Sequence, residues 1–217
     1  MRPYKLSPSI FAANIGNLSH QLAELESARV EMLHVDVLDG HFVERMAFGA
    51  DHIRQLKGLT SIPLDVHLMV EKPERILDDI LEAGADSVTV HQESTAMLYA
   101  CVQKIKLAGA KAGVVLSPAT PPETIASILA ELDMVLCMTI NPGAWGSQAF
   151  MSIVLDKVAR INEMIGDRSI DLEVDGQIDD KNIVLARNAG ANVFVSGGYL
   201  FKDIPVNTAR LRAALVS

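Results

Sequence analysis

The chain has 217 residues, 49% of them hydrophobic, and carries a formal net charge of −8. That length supports one large domain with a sizeable core, and that apolar content argues against disorder. The acidic balance, with no basic run, argues against nucleic acid or an anionic membrane as partner, and the apolar runs are too short and interrupted to span a bilayer.

The opening MRPYKLSPSIF has no apolar stretch followed by a small-residue cleavage site, so no secretion signal is expected. One unit then recurs: a short apolar strand, a turn rich in Gly, Pro or Asp, and an amphipathic helix. Strands are expected at 5–9, 32–37, 64–69, 87–91, 112–116, 134–140, 171–175 and 193–196. Helical spacing fills the gaps, as in Leu18, Leu22 and Leu25, and in Ile76, Ile80 and Leu81. It continues in Val102, Ile105 and Lys106, then Ile125, Ile128 and Leu129, then Val154, Val158 and Ile161. Ala-Gly-Ala at Ala83, Ala108 and Ala189 marks helix ends, each leading into the next strand. Cys101 and Cys137 lie far apart and form no CxxC, which reads as reduced thiols in a cytoplasmic protein.

Alternating strands and helices imply parallel strands joined by right-handed crossovers. Eight units in about 200 residues fit a closed (β/α)8 TIM barrel near the lower end of its size range. An open doubly wound sheet is the competing topology. It usually has fewer units and a Gly-rich first turn, which is absent after Ser9. With no linker or composition shift, residues 1–217 read as a single domain.

Barrel chemistry sits where the strands end on their C-terminal side. His34, Asp36, His67, His91, Asn141, Asp175 and Gly197 all fall at such ends. Residues two apart on a strand share a face, so His34 and Asp36 point together, as do Asp65 and His67. A lone strand histidine is usually a hydrogen-bonded core residue. Two imidazoles and a carboxylate at one centre without a cation would be costly, which favours a metal. Asp175 supplies a second carboxylate. Two His and two Asp suit a tetrahedral ion, with zinc as default and iron, cobalt or manganese compatible. Asp65 reads equally as an acceptor orienting an imidazole or as a buried structural acid. His91 is expected outside the set of ligands.

Gly176 after the seventh strand, and Gly197 and Gly198 after the eighth, occupy the loops that often hold a phosphate on backbone N–H groups. Gln177 would lie in the same cradle. A plain tight turn is the alternative. The segment from Asn141 to Ser147, containing Gly143, Trp145 and Gly146, is long enough to cover a small ligand. Trp145 could cap the substrate or simply anchor that loop. Met69 and Met138 end strands near the same mouth, where methionine is more often core filler.

Together these residues resemble the ribulose-phosphate 3-epimerase family from end to end. The resemblance rests on KLSPSIFAAN, HVDVLDGHFV, LDVHLMVEKPE, SPATP, MTINPG, EVDG and the glycine turn at Gly197, all in order. It implies a phosphate-binding barrel of the ribulose-phosphate type that epimerises a ketose phosphate at carbon 3. By motif match, His34, Asp36, His67 and Asp175 correspond to metal ligands, and Asp36 and Asp175 also to the acid/base pair. Ser9, Met69 and Met138 fall at substrate-contacting positions, and Gly176 and Gly197 in the phosphate cradle. A homo-oligomer is the common assembly.

The chain departs from the family at Leu38, usually methionine, at Asn14, usually aspartate, and at Gln177 and Gly198, usually glycine and serine. The stretch from Gly143 to Gln148 is one residue longer than usual. D-ribulose 5-phosphate is the default substrate, with allulose 6-phosphate or a tetrulose phosphate as alternatives. A decarboxylase or aldol-type synthase on a similar barrel would carry lysine where His67 stands. A barrel that merely binds a sugar phosphate would not need two opposed carboxylates.

Overall fold

The computed structural model describes residues 2–143 and 148–216. Eight parallel strands form its wall: β1 (Lys5–Pro8), β2 (Leu33–Asp39), β3 (Leu64–Met69), β4 (Ser87–His91), β5 (Lys111–Leu116), β6 (Met134–Met138), β7 (Asp171–Asp175) and β8 (Val193–Ser196). The ring closes at β1. That strand pairs with β8 from Lys5↔Val193 to Pro8↔Ser196, and the bridge Ser9↔His34 joins it to β2. A two-residue strand, Met46–Ala47, folds back antiparallel on the end of β2.

The strand alternation decides which side chains face the site. In β2, Leu33, Val35 and Val37 pack outward into the main hydrophobic core, so His34 and Asp36 point into the barrel. Burying each apolar side chain contributes about 1.5–3 kcal/mol. A one-residue slip would lose that for the whole strand and drive His34 and Asp36 between sheet and helices. The same logic fixes β3, where Leu64, Val66 and Leu68 face outward and Asp65 and His67 inward.

Around the wall lie α1 (Leu18–Ser27), α2 (Ala50–Leu59), α3 (Leu77–Glu82), α4 (Leu98–Leu107), α5 (Leu155–Ile165), α6 (Asn182–Asn188) and α7 (Ile204–Val216). The β5–β6 crossover differs from the helix its apolar spacing suggests. It holds two 3-10 turns, Pro122–Ile125 and Leu129–Glu131. Pro121 and Pro122 supply no N–H, and later amides bond three residues back, Ala126 to Glu123 and Ile128 to Ile125, both at 3.1 Å. Ile125 and Leu129 are still buried, so the periodicity recorded burial rather than an α-helix. The Ala-Gly-Ala stops behave as expected. At the end of α6, Gly190 takes φ +107°, and a Cβ there would lie 2.4 Å from Asn162 Cγ. No helix among the described residues is long and apolar enough to cross a membrane.

Candidate active and metal site

The parallel register sets His34 beside Asp65 and Asp36 beside His67. His34 Nε2 lies 3.2 Å from His67 Nδ1 and 3.4 Å from Asp36 Oδ1. His67 Nδ1 is also 3.4 Å from Asp36 Oδ1. From across the ring, Asp175 Oδ2 comes within 3.9 Å of His34 Nε2 and 3.8 Å of His67 Nδ1. These four residues form a set that could hold a metal ion. Ligands ~2.0–2.2 Å from a tetrahedral ion stand roughly 3.3–3.6 Å apart, so the side chains are already near the spacing such an ion needs.

The surroundings hold these groups in place. Asp65 Oδ2 sits 2.8 Å from His34 Nδ1, and Ser87 donates to Asp65 Oδ1 at 2.7 Å. Asp65 therefore engages the back of His34 and leaves Nε2 facing the centre. Glu173, two residues before Asp175 on β7, shares its inward face and brings Oε1 to 3.8 Å from His34 Nδ1. Burial and the Asp65 charge push Glu173 well above the usual carboxylate range. Ser9 donates to Asp36 Oδ2 at 2.6 Å, occupying the oxygen that faces away from the histidines. His91 lies outside the donor set, against the far nitrogen of His67 at 2.9 Å.

Above this cluster opens a cavity of about 490 Å³. Ser9, Asp36, Met69, Met138, Gly143 and Asp175 line it, together with Gly176, Gln177, Gly197 and Gly198. His34 and His67 lie beneath it, fully buried. Met69 and Met138 are packed in small apolar clusters as well, so core filling and cavity lining coincide. Trp145 and Gly146 lie outside the described residues. Gly143 packs against Val43 from the loop after β2, where an added Cβ would come within 2.4 Å of Val43 Cβ. Arg45, Phe11, Tyr199 and Lys202 also reach the cavity, although strand periodicity gave no signal for them. They come from loops and 3-10 turns, whose paths period-two spacing does not describe.

The turns after β7 and β8 are laced together. Ser196 Oγ donates to the Ile178 carbonyl at 2.8 Å, and Thr139 Oγ1 to the Gly176 carbonyl at 2.6 Å. Gly176 adopts φ +126°, and a Cβ there would meet Ile140 Cγ1 at 2.6 Å. Gln177 keeps a left-handed φ of 55° despite its side chain, and its carbonyl accepts from Asn182 Nδ2 at 2.7 Å. Gln177 thus holds a conformation that favours glycine.

Protonation at the centre is set by burial and close charges. Burial opposes charge on His34, yet Asp36 and Asp65 override it and hold the imidazole well above its usual range. Burial lowers His67 to about 4. It would raise Asp36, but His34 and His67 prevail and keep that carboxyl well below the usual range. Burial pushes Asp175 up to about 7, with His34 pulling the other way. A divalent cation binds only the deprotonated ligands, so it competes with protons here. Affinity for zinc should rise as pH climbs through about 7, with about one proton or more released per ion at pH ~6. Calorimetric titration in buffers of different ionisation enthalpy measures both quantities, and affinity that falls with rising pH would contradict this arrangement.

A closed barrel with convergent His and Asp donors under a sugar-sized cavity points to an enzyme of small-molecule metabolism. The Ribulose-phosphate 3 epimerase family matches residues 5–201. Ribulose-phosphate 3-epimerase of Bacillus subtilis is 38% identical over 200 residues, covering 91% of this chain and 92% of its own. The chloroplastic ribulose-5-phosphate-3-epimerase of Arabidopsis thaliana is 41% identical over 200 residues, 90% of this chain and 71% of its own. Among solved structures, 3-hexulose-6-phosphate synthase from Salmonella typhimurium superposes with a TM-score of 0.75 at 15% identity, covering 98% of each chain. That likeness supports the barrel fold. The chain belongs to the ribulose-phosphate 3-epimerase family, and it is an isomerase acting on a carbohydrate phosphate.

Proposed function

We propose that the protein inverts carbon 3 of a ketose phosphate, with D-ribulose 5-phosphate and D-xylulose 5-phosphate as the default pair. Family membership supports the reaction class. The observation that carries the residue assignment is the convergence of His34, Asp36, His67 and Asp175 at the floor of the cavity. We assign these four as ligands of one divalent ion, zinc by default, with iron, cobalt or manganese compatible. When bound, the ion supplies positive charge against the enediolate that forms between the two epimers.

The remaining steps fall to side chains of this chain. Asp36 on β2 and Asp175 on β7 approach the cavity from well-separated strands. One carboxylate takes the carbon-3 proton from one face and the other returns a proton to the opposite face. The two exchange roles in the reverse direction. Ser9 fixes the rotamer of Asp36 through its 2.6 Å hydrogen bond. The backbone of Gly176–Gln177 and Gly197–Gly198 is assigned to the phosphate. Residues 1–217 are assigned to a single barrel domain.

A second substrate within the same reaction is favoured by the cavity wall. Leu38 and Gln177 both line it and both depart from the family's usual residues, which supports allulose 6-phosphate or a tetrulose phosphate as alternatives. The test is a panel of pentulose, hexulose and tetrulose phosphates incubated with the zinc-loaded protein in deuterated water. One member should be inverted at carbon 3 and carry solvent deuterium there. If none is turned over, the proposed activity falls.

A further inference from the structure

His67 has two ring nitrogens, and only Nδ1 faces the convergent centre. Its Nε2 points the other way, 2.9 Å from Nε2 of His91. Both rings are fully buried, and they stack with centroids 5.0 Å apart. Phe42 covers His91 at 4.7 Å between centroids. On its far side, His91 Nδ1 lies 3.1 Å from Glu93 Oε2 and 3.4 Å from the Ser117 hydroxyl. The other oxygen of Glu93 accepts from the Ser117 amide at 2.9 Å and from the Thr120 hydroxyl. The Ser117–Thr120 loop is itself staked by Lys157. Its ammonium donates to the carbonyls of Ser117, Pro118 and Thr120 at 2.6, 3.0 and 3.3 Å.

Two nitrogens 2.9 Å apart share one proton, so the direction of that hydrogen bond must be chosen. If His91 donated to His67, the remaining proton of a neutral His67 would sit on Nδ1, where it blocks a cation. If His67 donates, Nδ1 presents its lone pair to the centre. Geometry at the outer end selects the second case. A carboxylate only accepts, and Glu93 is tied into a loop that already donates to its other oxygen. The nearest hydrogen on the His91 side must therefore be on Nδ1, which leaves His91 Nε2 as an acceptor. We propose that Glu93, acting through His91, sets the polarity of this chain and fixes His67 with its proton on Nε2 and its Nδ1 lone pair aimed at the metal site. Glu93 and His91 are thus positioning residues, anchored by Ser117, Thr120 and Lys157. The proposal rests on the metal reading above for its purpose, but the proton positions are observable without any metal.

The experiment uses the full chain with ¹⁵N-labelled histidine. In the metal-free wild type, long-range ¹H–¹⁵N correlation should show the His67 proton on Nε2 and a bare Nδ1. Glu93→Gln places an amide that can donate as well as accept at the outer end, so the His67 tautomer should become mixed. Zinc affinity, measured by competition with a chromophoric chelator, should fall ~10–100-fold, the scale for losing a group that orients a ligand. His91→Phe keeps an aromatic ring beside Phe42 but removes the acceptor, and should lose zinc affinity on the same scale. A wild-type His67 protonated on Nδ1 overturns the proposal. So does folded Glu93→Gln and His91→Phe protein holding zinc within about twofold of wild type. Because His34 Nε2, 3.2 Å from His67 Nδ1, favours the same tautomer, the spectrum is also recorded on His34→Phe, where a proton moved to His67 Nδ1 overturns the proposal even if both variants above fail to fold. If the wild type binds no zinc while His67 still carries its proton on Nε2, the metal reading fails and the chain of hydrogen bonds stands.

Discussion

Asp36→Asn and Asp175→Asn are each expected to reduce turnover by ~10²–10⁴-fold, the usual consequence of removing a general acid or base. The two variants should differ in how they fail. Asp36 Oδ1 lies 3.4 Å from both histidine nitrogens and its other oxygen is occupied by Ser9, so its loss disturbs the donor set most. Asp175 stands farther from the histidines, at 3.8 and 3.9 Å, and lines the cavity. Asp175→Asn should therefore retain more zinc than Asp36→Asn while losing proton transfer as completely. Zinc content and single-turnover rates taken on the same samples separate the two effects. Wild-type-like turnover in either variant, within about threefold, would remove that residue from the acid/base pair.

The second large effect concerns the phosphate. If the proposed cradle holds the phosphate, free ketoses should be at least ~10²-fold poorer in kcat/KM than their phosphates, because the charged anchor is lost. Within the proposed cradle, the backbone of Gly176 is the point most exposed to mutation. A Cβ at residue 176 would press on Ile140 Cγ1 at 2.6 Å and on Ile140 N at 2.9 Å, and the residue holds φ +126°. Gly176→Ala must move the turn, and should raise KM for the phosphorylated substrate far more than for the free sugar. Comparable rates on free and phosphorylated ketoses would show that the cradle has been assigned to the wrong loops.

Much of this site is written in period-two spacing. His34 with Asp36, and Asp65 with His67, can be paired by eye because each shares a strand face within one β-branched run. The expected limits of β3, β4, β7 and β8 coincide with the observed strands for the same reason. Glu173, two before Asp175, carried the same signal, but its acid side chain sits deeper in the barrel and looked like part of an ordinary strand. What spacing does not contain is register between strands. That His34 should meet Asp65 while Asp36 meets His67 follows only once β2 and β3 are aligned. The contact of His91 with His67 has the same origin, since it joins two strands, and Glu93 is then held by residues from the loop after β5. The β5–β6 crossover shows the opposite limit. Its apolar residues repeat as in a helix, yet the prolines at 121 and 122 favour tighter turns.

Closure of the ring has a consequence for the order of events during folding. Ser9 belongs to the seam: its amide donates to Ser196 at 3.2 Å and it bridges to His34. The seam joins the two ends of the chain, so it carries the largest loop-closure entropy in the molecule and forms late relative to neighbouring β/α units. Ser9 and Asp36 are only 27 residues apart and meet through the short β1–β2 connection, but until β8 joins β1 the far side of the ring, with Asp175, is not fixed across from the histidines. The four donors come from β2, β3 and β7, so their final spacing across the ring is expected only once closure has fixed the wall.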